Sequence, residues 1–288
     1  MAQDMGGAHS PLGRVGSRHV GRTRPRAALH RILLALAAPL CALALLGPAC
    51  STTGGGAGVP AAGDIAAAPA ASPFQQELDR LGVPLRLPAR GKAIVVNIPA
   101  FELIAFRDAM PEFRSRVIVG SPRNPTPVLE THVTAVRFRP RWRPTPEMVA
   151  SGEYEDRVWP PGRRNPLGLA AIRLGEGLLV YLHDTNRRSL FERDARALSH
   201  GCIRVQRWDE LAAWVLDIGL DEVHRHAEGR RTFDMEADPI PVFLGYFLDF
   251  PQQDGAPRRH ADIYALGRSA GPQGMRGERV PEAVCAGG

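Results

Sequence analysis

The chain has 288 residues, 44% of them hydrophobic, and a formal net charge of +6 at pH 7. This length and apolar content are ample for a sizeable core, in one large domain or two small ones. The positive charge belongs to the amino-terminal end, because the first 50 residues hold six Arg and one Asp, or +5, which leaves +1 for the rest. The charge therefore gives no reason to expect a nucleic-acid partner.

The first 49 residues have the pattern of a secretory signal peptide. Six arginines precede the apolar run ILLALAAPLCALALL (32–46), which is short for a membrane-spanning helix of about 20 residues. The small residues at 47–49 suit cleavage before Cys50, and the same cleavage suits a bacterial lipoprotein. We therefore predict an exported protein whose only attachment to a membrane is lipidation of Cys50, with plain secretion as the alternative.

Residues 50–90 are predicted to form a flexible linker rich in Gly, Ala and Pro that ends in one short helix, FQQELDRLG (74–82). From residue 91 onward β-structure dominates. Six short segments rich in Val, Ile and aromatic residues are separated by turn residues. These segments are 92–98, 101–106, 114–120, 131–138, 168–174 and 178–184. Their spacing favours an antiparallel or mixed sheet over alternating βαβ units.

Helical periodicity comes late in the chain. It is present in WDELAAWVLDIG (208–219), and a second short helix is predicted in DEVHRHAEG (221–229). Two further segments, 240–250 and 258–266, are predicted to form a closing hairpin or strand pair.

These segments define a predicted domain over residues 91–267 that is mostly β with a few helices (α+β), followed by a disordered tail at 268–288. Of the two cysteines beyond Cys50, Cys285 falls in the Gly-rich tail and Cys202 falls inside the domain. Two cysteines do not make the disulfide framework of a small secreted scaffold. Cys202 is therefore a candidate reactive group.

Cys202 lies in the segment LSHGCIRV (198–205), where a cysteine by itself is most often a buried small hydrophobe. His183 ends the predicted strand GLLVYLHD, far enough upstream for a loop to return the thiol beside the imidazole. A neighbouring imidazole favours the thiolate, the form that attacks carbonyl groups. Gly201 permits backbone conformations closed to other residues, so the amides around it would be able to point at one oxyanion.

Other side chains near this segment have both a chemical and a structural interpretation. Ser199 and His200 flank the cysteine, and Arg204 would meet a substrate carboxylate or support the loop. Tyr181 would line the cleft or belong to the core. A metal site made from the same His and Cys side chains lacks a convincing fourth ligand, so no metal is expected.

Together these residues resemble the signature of the L,D-transpeptidases of the YkuD type. In this chain the signature is His183, the stretch DTNRRSLFERDARAL, and then SHGCIR (199–204). Three further segments, VIVGSPRNPTPV (117–128), RNPLG (164–168) and IPVFLGYF (240–247), resemble the larger Gram-negative branch of that family. The segment 141–168 stands where such relatives carry a capping insertion over the cleft.

The resemblance implies a β-sandwich or mixed-sheet fold of the YkuD type and a periplasmic enzyme that uses no cofactor. It implies peptidoglycan stem peptides containing meso-diaminopimelate as substrates and carbapenem-type compounds as inhibitors. It also implies residue roles: Cys202 as nucleophile, His183 as general base held by a backbone carbonyl near Asp184, and an oxyanion and substrate-positioning set of Ser199, His200, Gly201, Arg204 and Asp184.

The reaction implied is acyl transfer through a Cys202 thioester. Enzymes of the family release D-Ala and pass the acyl group to an amine, which gives 3-3 cross-links or exchange of the terminal D-amino acid. Two alternatives remain open from the sequence. Water would resolve the same acyl-enzyme in an L,D-carboxypeptidase or amidase, or the fold would serve as a non-catalytic wall-binding lipoprotein.

Overall fold

The structure is a computed structural model and describes residues 70–175 and 177–271. The predicted signal peptide, Cys50, the Gly-rich part of the linker and residues 272–288 lie outside the described residues. Within the described ranges, no helix is both long enough and apolar enough to cross a bilayer.

The described residues form short strands and a few helices. The strands are β1 (Lys92–Asn97), β2 (Glu102–Arg107), β3 (Met110–Gly120), β4 (Leu129–Phe138), β5 (Ala170–Leu174), β6 (Tyr181–His183), β7 (Ala197–Ser199), β8 (Ile203–Val205), β9 (Phe233–Glu236), β10 (Pro241–Gly245), β11 (Asp249–Pro251) and β12 (Pro257–Arg259). The helices are α1 (Pro73–Arg80), α2 (Pro146–Ala150), α3 (Trp208–Leu216), α4 (Leu220–Glu228) and a 3-10 helix (Arg188–Glu192).

One mixed sheet dominates the fold. Its strand order is β10, β1, β2, β3, β8, β6, β5, β4, β9, with β7 beside β3, and β10 also pairs with β4. Most neighbours are antiparallel, but β1 and β10, β3 and β7, and β6 and β8 run parallel. The predicted mostly β, mixed-sheet fold is therefore confirmed. The predicted sandwich is wrong, because the sheet curls round until β10 meets β4 and encloses its own core, as in a barrel.

The carboxyl-terminal part of the domain also differs from the prediction. The two predicted segments pair only at their near ends, where Asp249 and Phe250 lie opposite Arg259 and Arg258 in the small hairpin of β11 with β12. Most of segment 240–250 instead forms β10, which inserts between β1 and β4. Residues 242–245 are all buried, which fits a strand with neighbours on both sides and packed faces.

The sheet carries apolar residues on both faces. In β1, Ile94 belongs to the main core, which also holds buried residues of α3 and α4, whereas Val95 belongs to a second core. Phe74 and Leu78 of α1 complete the second core together with Phe106. The short helix predicted at the end of the linker is thus packed on the sheet, where burying its apolar face stabilises it.

Candidate active site

The parallel pair of β6 and β8 brings the predicted site residues together. Leu182 lies opposite Ile203 and His183 lies opposite Arg204. Leu182 and Ile203 point into the barrel core. Because side chains alternate along a strand, His183 and Arg204 point to the outer face, as does Cys202 one position before Ile203. By ordinary sheet spacings, the Cα atoms of Cys202 and His183 lie roughly 8 Å apart, on one face of adjacent strands.

His183 is a buried, neutral imidazole. Its side chain is 5% exposed, and Nδ1 hydrogen-bonds to the backbone carbonyl oxygen of Asp184. Since a carbonyl only accepts, Nδ1 carries the proton and Nε2 is the basic nitrogen. Burial lowers the pKa of His183 to about 3, with help from the Arg204 charge and against the carbonyls of Asp184 and Leu167. The ring is therefore neutral at pH 7 with a free lone pair on Nε2, and it supplies no positive charge to hold a preformed thiolate.

Cys202 is 2% exposed and packs with Ala171 and Tyr181. Its sulfur accepts a hydrogen bond from the amide of Tyr181 at 3.2 Å and lies 3.7 Å from the carbonyl oxygen of Leu179. The nucleophilic chemistry expected of Cys202 belongs to its reduced form. The side chain of Tyr181 is buried beside the sulfur and lines a small cavity of about 10 Å³.

The loop at residues 199–202, called the SHGC loop below, is fixed by its own serine. Ser199 Oγ accepts from the Gly201 amide at 3.1 Å and donates to the Cys202 carbonyl oxygen at 2.5 Å. Gly201 has φ of 110°, in the region that favours glycine. The Gly201 amide, expected from the sequence as an oxyanion donor, is thus already engaged by Ser199. Oxyanion donors would have to come from other amides of the loop.

Two residues that the sequence did not single out, Thr126 and Tyr264, link this loop by hydrogen bonds to the end of β3. Thr126 Oγ1 accepts from the amide of Gly120 and donates to the carbonyl oxygen of Gly201, each at 2.8 Å. Tyr264 donates its hydroxyl to the carbonyl oxygen of Gly120 at 2.7 Å and accepts from the Thr126 amide at 3.1 Å. Thr126 lies in the segment 117–128 that carried part of the family resemblance, whereas no local pattern points to Tyr264.

Asp184 contributes its backbone to His183 and its carboxylate to a turn. The carboxylate accepts from the Leu169 amide at 3.0 Å and pairs with Arg188 at 2.8 Å. Burial raises the pKa of Asp184, against the lowering effect of nearby amides and Arg188. Gly168 has φ of 67°, and a Cβ there would lie 2.3 Å from the carboxylate oxygen. The carboxylate therefore shapes the turn before β5, and the substrate-positioning role expected for it stays a prediction.

Residues 141–168, called the cap below, form a small unit of their own. Trp142 pairs with Trp159 through their backbones, and Trp142 packs with Met148 and Leu167 in an apolar cluster. Asn165 donates to the Pro140 carbonyl oxygen at 3.0 Å, which holds the end of the cap close to its start. The cap is thus a folded cover with a core separate from that of the barrel.

The cap meets the site through charged groups. Glu153 of the cap lies 3.2 Å from Nε2 of His200, so His200 points to the cap. Arg204 is a partly buried cation whose Nη1 is buried and has no hydrogen-bond partner. Burial lowers the pKa of Arg204, and the nearby Arg187 charge acts in the same direction. Across the described part of the chain, no group of three His, Cys, Asp or Glu side chains could hold a metal ion.

Comparisons with known proteins agree on one family. A family model described as YkuD, L,D-transpeptidase catalytic domain, matches residues 91–242, which are 152 of the 288 residues. A curated Haemophilus influenzae protein named "Putative L,D-transpeptidase" is 29% identical over 225 residues, which cover 63% of this chain and 46% of that protein. The chain therefore spans about half the length of this relative.

Solved structures give weaker likenesses. An L,D-transpeptidase from Mycobacterium smegmatis is 20% identical, covers 53% of this chain and 58% of its own, and has a TM-score of 0.34. L,D-transpeptidase 3 from Mycobacterium tuberculosis, in complex with a faropenem-derived adduct, is 18% identical, covers 54% and 60%, and has a TM-score of 0.31. TM-scores this low carry no argument, so the family assignment rests on the family-model match over residues 91–242.

Proposed function

The chain belongs to the YkuD family of L,D-transpeptidase catalytic domains, and from this premise we propose that it is a cysteine-dependent acyltransferase acting on peptidoglycan stem peptides. The observation that carries the proposal is the position of His183 and Cys202 on one face of two adjacent parallel strands. Nucleophilic catalysis by a thiol needs a base within reach of the sulfur. The signal-peptide pattern adds the proposal that the enzyme works in the periplasm, where its substrate lies.

In the first half-reaction, the reduced Cys202 sulfur attacks the carbonyl carbon of the bond that precedes the terminal D-Ala. Nε2 of His183 accepts the thiol proton and then gives it to the departing amine of D-Ala, which leaves a thioester on Cys202. In the second half-reaction, an amine of another stem, or a free D-amino acid, attacks the thioester. Its proton returns through His183 to the sulfur, and the new amide is a 3-3 cross-link or an exchanged terminus.

The neutral state of His183 supports the role of general base. The lowered pKa keeps Nε2 unprotonated at neutral pH, and it also makes this nitrogen a weaker base than a free imidazole. The hydrogen bond from Nδ1 to the Asp184 carbonyl supports the tautomer in which Nε2 is basic. The thiol would therefore ionise during attack, in concert with proton transfer.

The position of Arg204 supports an acyl-donor substrate that carries a free carboxylate. Arg204 is partly buried on the same face as Cys202, and its Nη1 is buried without a partner. A buried cation with an unsatisfied N–H is stabilised by an anion that fills the space beside it. The carboxylates of meso-diaminopimelate and of D-Ala both offer such a group to a guanidinium fork.

The test uses the purified mature protein, reduced before use, and peptidoglycan fragments followed by mass spectrometry. We expect loss of D-Ala together with a cross-linked dimer, or exchange of D-Ala when another D-amino acid is supplied. Loss of D-Ala with neither product would assign the hydrolytic alternative. Identical fragment masses before and after incubation would contradict catalysis and favour a wall-binding protein.

A carbapenem provides the second test of the nucleophile. Its strained lactam carbonyl would acylate reduced Cys202, so the intact mass should rise by one inhibitor. Cys202→Ala should remain unmodified. Cys285→Ala is the matched control, because it removes the tail cysteine, the other cysteine beyond Cys50, and should still form the adduct. An unmodified mass for the reduced wild-type protein would reject the thioester mechanism.

A further inference from the structure

A second concave site lies away from Cys202. Its volume is about 580 Å³. We call it the basic pocket and define it by the six arginines that line it: Arg114, Arg116, Arg196, Arg207, Arg258 and Arg259. Two carboxylates, Glu102 and Asp194, also line it. The cationic side chains thus outnumber the anionic ones on its wall.

The basic pocket and the candidate active site lie at different places along β3. Ser115 lines the pocket, whereas Gly120, at the end of the strand, contacts Thr126 beside the SHGC loop. Five residues of extended strand span roughly 16 Å. No residue of the SHGC loop and no residue of β6 lines the pocket. A ligand there would therefore not occupy the catalytic cleft.

The charges of the pocket are only partly compensated. Four arginines form ion pairs: Arg114 with Glu102, Arg116 with Glu192, Arg207 with Glu210 and Arg259 with Asp249. Within the described residues, Arg196 and Arg258 form no ion pair. Arg196 instead donates to carbonyl oxygens of Val117, Arg193 and Phe101. These carbonyls fix the guanidinium in place but do not neutralise its charge, so the pocket keeps a positive potential.

A second observation is a buried ring nitrogen that lacks a partner. His260 lines the pocket, and its Nε2 is buried without a hydrogen-bond partner. Burial and the charge of Arg258 lower the pKa of His260, so the ring resists taking up a proton of its own. A buried polar atom with no partner costs free energy that a bound ligand would recover.

We propose that the basic pocket binds a phosphate group, carried by a soluble phosphate ester or by the headgroup of an anionic lipid. Phosphate has several acceptor oxygens and suits the planar, bidentate geometry of guanidinium groups. Several arginines around one cavity match a multiply charged group better than a single carboxylate. The inference is independent of the proposed transpeptidase activity.

The experiment removes two charges from the pocket and compares the effect with removal of two charges elsewhere. Arg116→Gln with Arg258→Gln is the pocket variant, and Arg230→Gln with Arg231→Gln is the control, because Arg230 and Arg231 are exposed and lie outside the pocket lining. Pyrophosphate binding is measured by calorimetry. Binding to vesicles of phosphatidylglycerol, against phosphatidylcholine, is measured by co-sedimentation.

We expect saturable binding of the wild-type protein that becomes about tenfold weaker in the pocket variant and stays unchanged in the control. Binding of pyrophosphate would assign a soluble phosphate ester, and binding only to phosphatidylglycerol vesicles would assign a lipid headgroup. No saturable binding to either probe, or equal weakening in both variants, would overturn the proposal. If the pocket variant does not fold, Arg258→Gln is compared with Arg230→Gln, since Arg258 is exposed and has no ion pair to lose.

Discussion

The SHGC loop and the cap touch each other, yet they are held in place by different kinds of contact. The loop is fixed by buried hydrogen bonds from Ser199 and from Thr126, a residue of a distant segment. The cap has its own apolar cluster and exposed ion pairs, and it reaches the loop through Glu153. Exposed ion pairs contribute little to the free energy of unfolding, whereas breaking a buried polar contact costs more. The reactive backbone is therefore rigid, and its cover is attached weakly.

The largest effect is expected from the general base, His183, which lies beside the rigid SHGC loop. His183→Gln keeps an amide that can donate to the Asp184 carbonyl but removes the basic nitrogen. Acylation of reduced Cys202 by a carbapenem should slow by about 10²–10⁴-fold. Time-resolved intact mass measures the rate, and His224→Gln, at an exposed site on α4, is the control. A rate within about twofold of wild type would remove His183 from the mechanism.

The next effect tests how the loop is held. Thr126→Val removes the hydroxyl that joins the Gly120 amide to the Gly201 carbonyl, so two buried backbone groups lose a partner. We expect the free energy of unfolding to fall by about 2–4 kcal/mol, measured by urea denaturation, and acylation to slow. Thr134→Val is the matched control, because its hydroxyl makes one 3.4 Å contact. Equal stability of the two variants would contradict the claim that the Thr126 hydroxyl holds the SHGC loop rigid.

The pH dependence of stability follows from the low pKa of His183. The ring takes up a proton near pH 6.5 when unfolded but only near pH 3 when folded, so the unfolded state binds more protons between these values. Stability should therefore fall as the pH drops through this window. At pH 4.5 the loss from this group is roughly 2–3 kcal/mol relative to pH 7.

His183→Gln isolates that contribution, since every other titrating group remains. The difference in unfolding free energy between pH 7 and pH 4.5 should be smaller in the variant than in the wild-type protein. The same difference in both proteins would show that the ring is not held neutral by burial.

The smallest effect is expected where the cap meets the loop. Glu153→Gln removes the charge that faces His200, and both side chains are about one-third exposed. The change in unfolding free energy should stay below about 1 kcal/mol, and the melting temperature should barely move. A loss as large as that of Thr126→Val would mean that the cap supports the loop and that the two regions are not built differently.

Local patterns in the sequence were enough to predict part of this arrangement. The strands from β1 to β6 are predictable because each is a short apolar segment between turn residues, and most are rich in Val, Ile or aromatic residues. The SHGC segment predicted the family because its residues are consecutive. In contrast, β8 has only three residues and directly follows a Gly-Cys pair, so its pairing with β6 leaves no periodic signal.

Such local patterns do not predict contacts between distant segments. Thr126 and Gly201 are 75 residues apart, and nothing local to either residue predicts their hydrogen bond. The pKa of His183 is set by burial and by Arg204 on the neighbouring strand, so the neutral ring also depended on tertiary structure. The same holds for barrel closure, because the sequence of β10 predicts a buried strand but does not say which strands lie beside it.

Barrel closure also determines where this chain can be shortened. β10 occupies residues 241–245 and satisfies the backbone of β1 on one side and of β4 on the other. A fragment ending at residue 242, where the family match ends, would keep the motif but lack most of this strand. Two apolar strand edges would then be open to pairing with other molecules, a common start of aggregation. Soluble fragments should therefore extend beyond residue 245, even though every proposed catalytic group lies well before it.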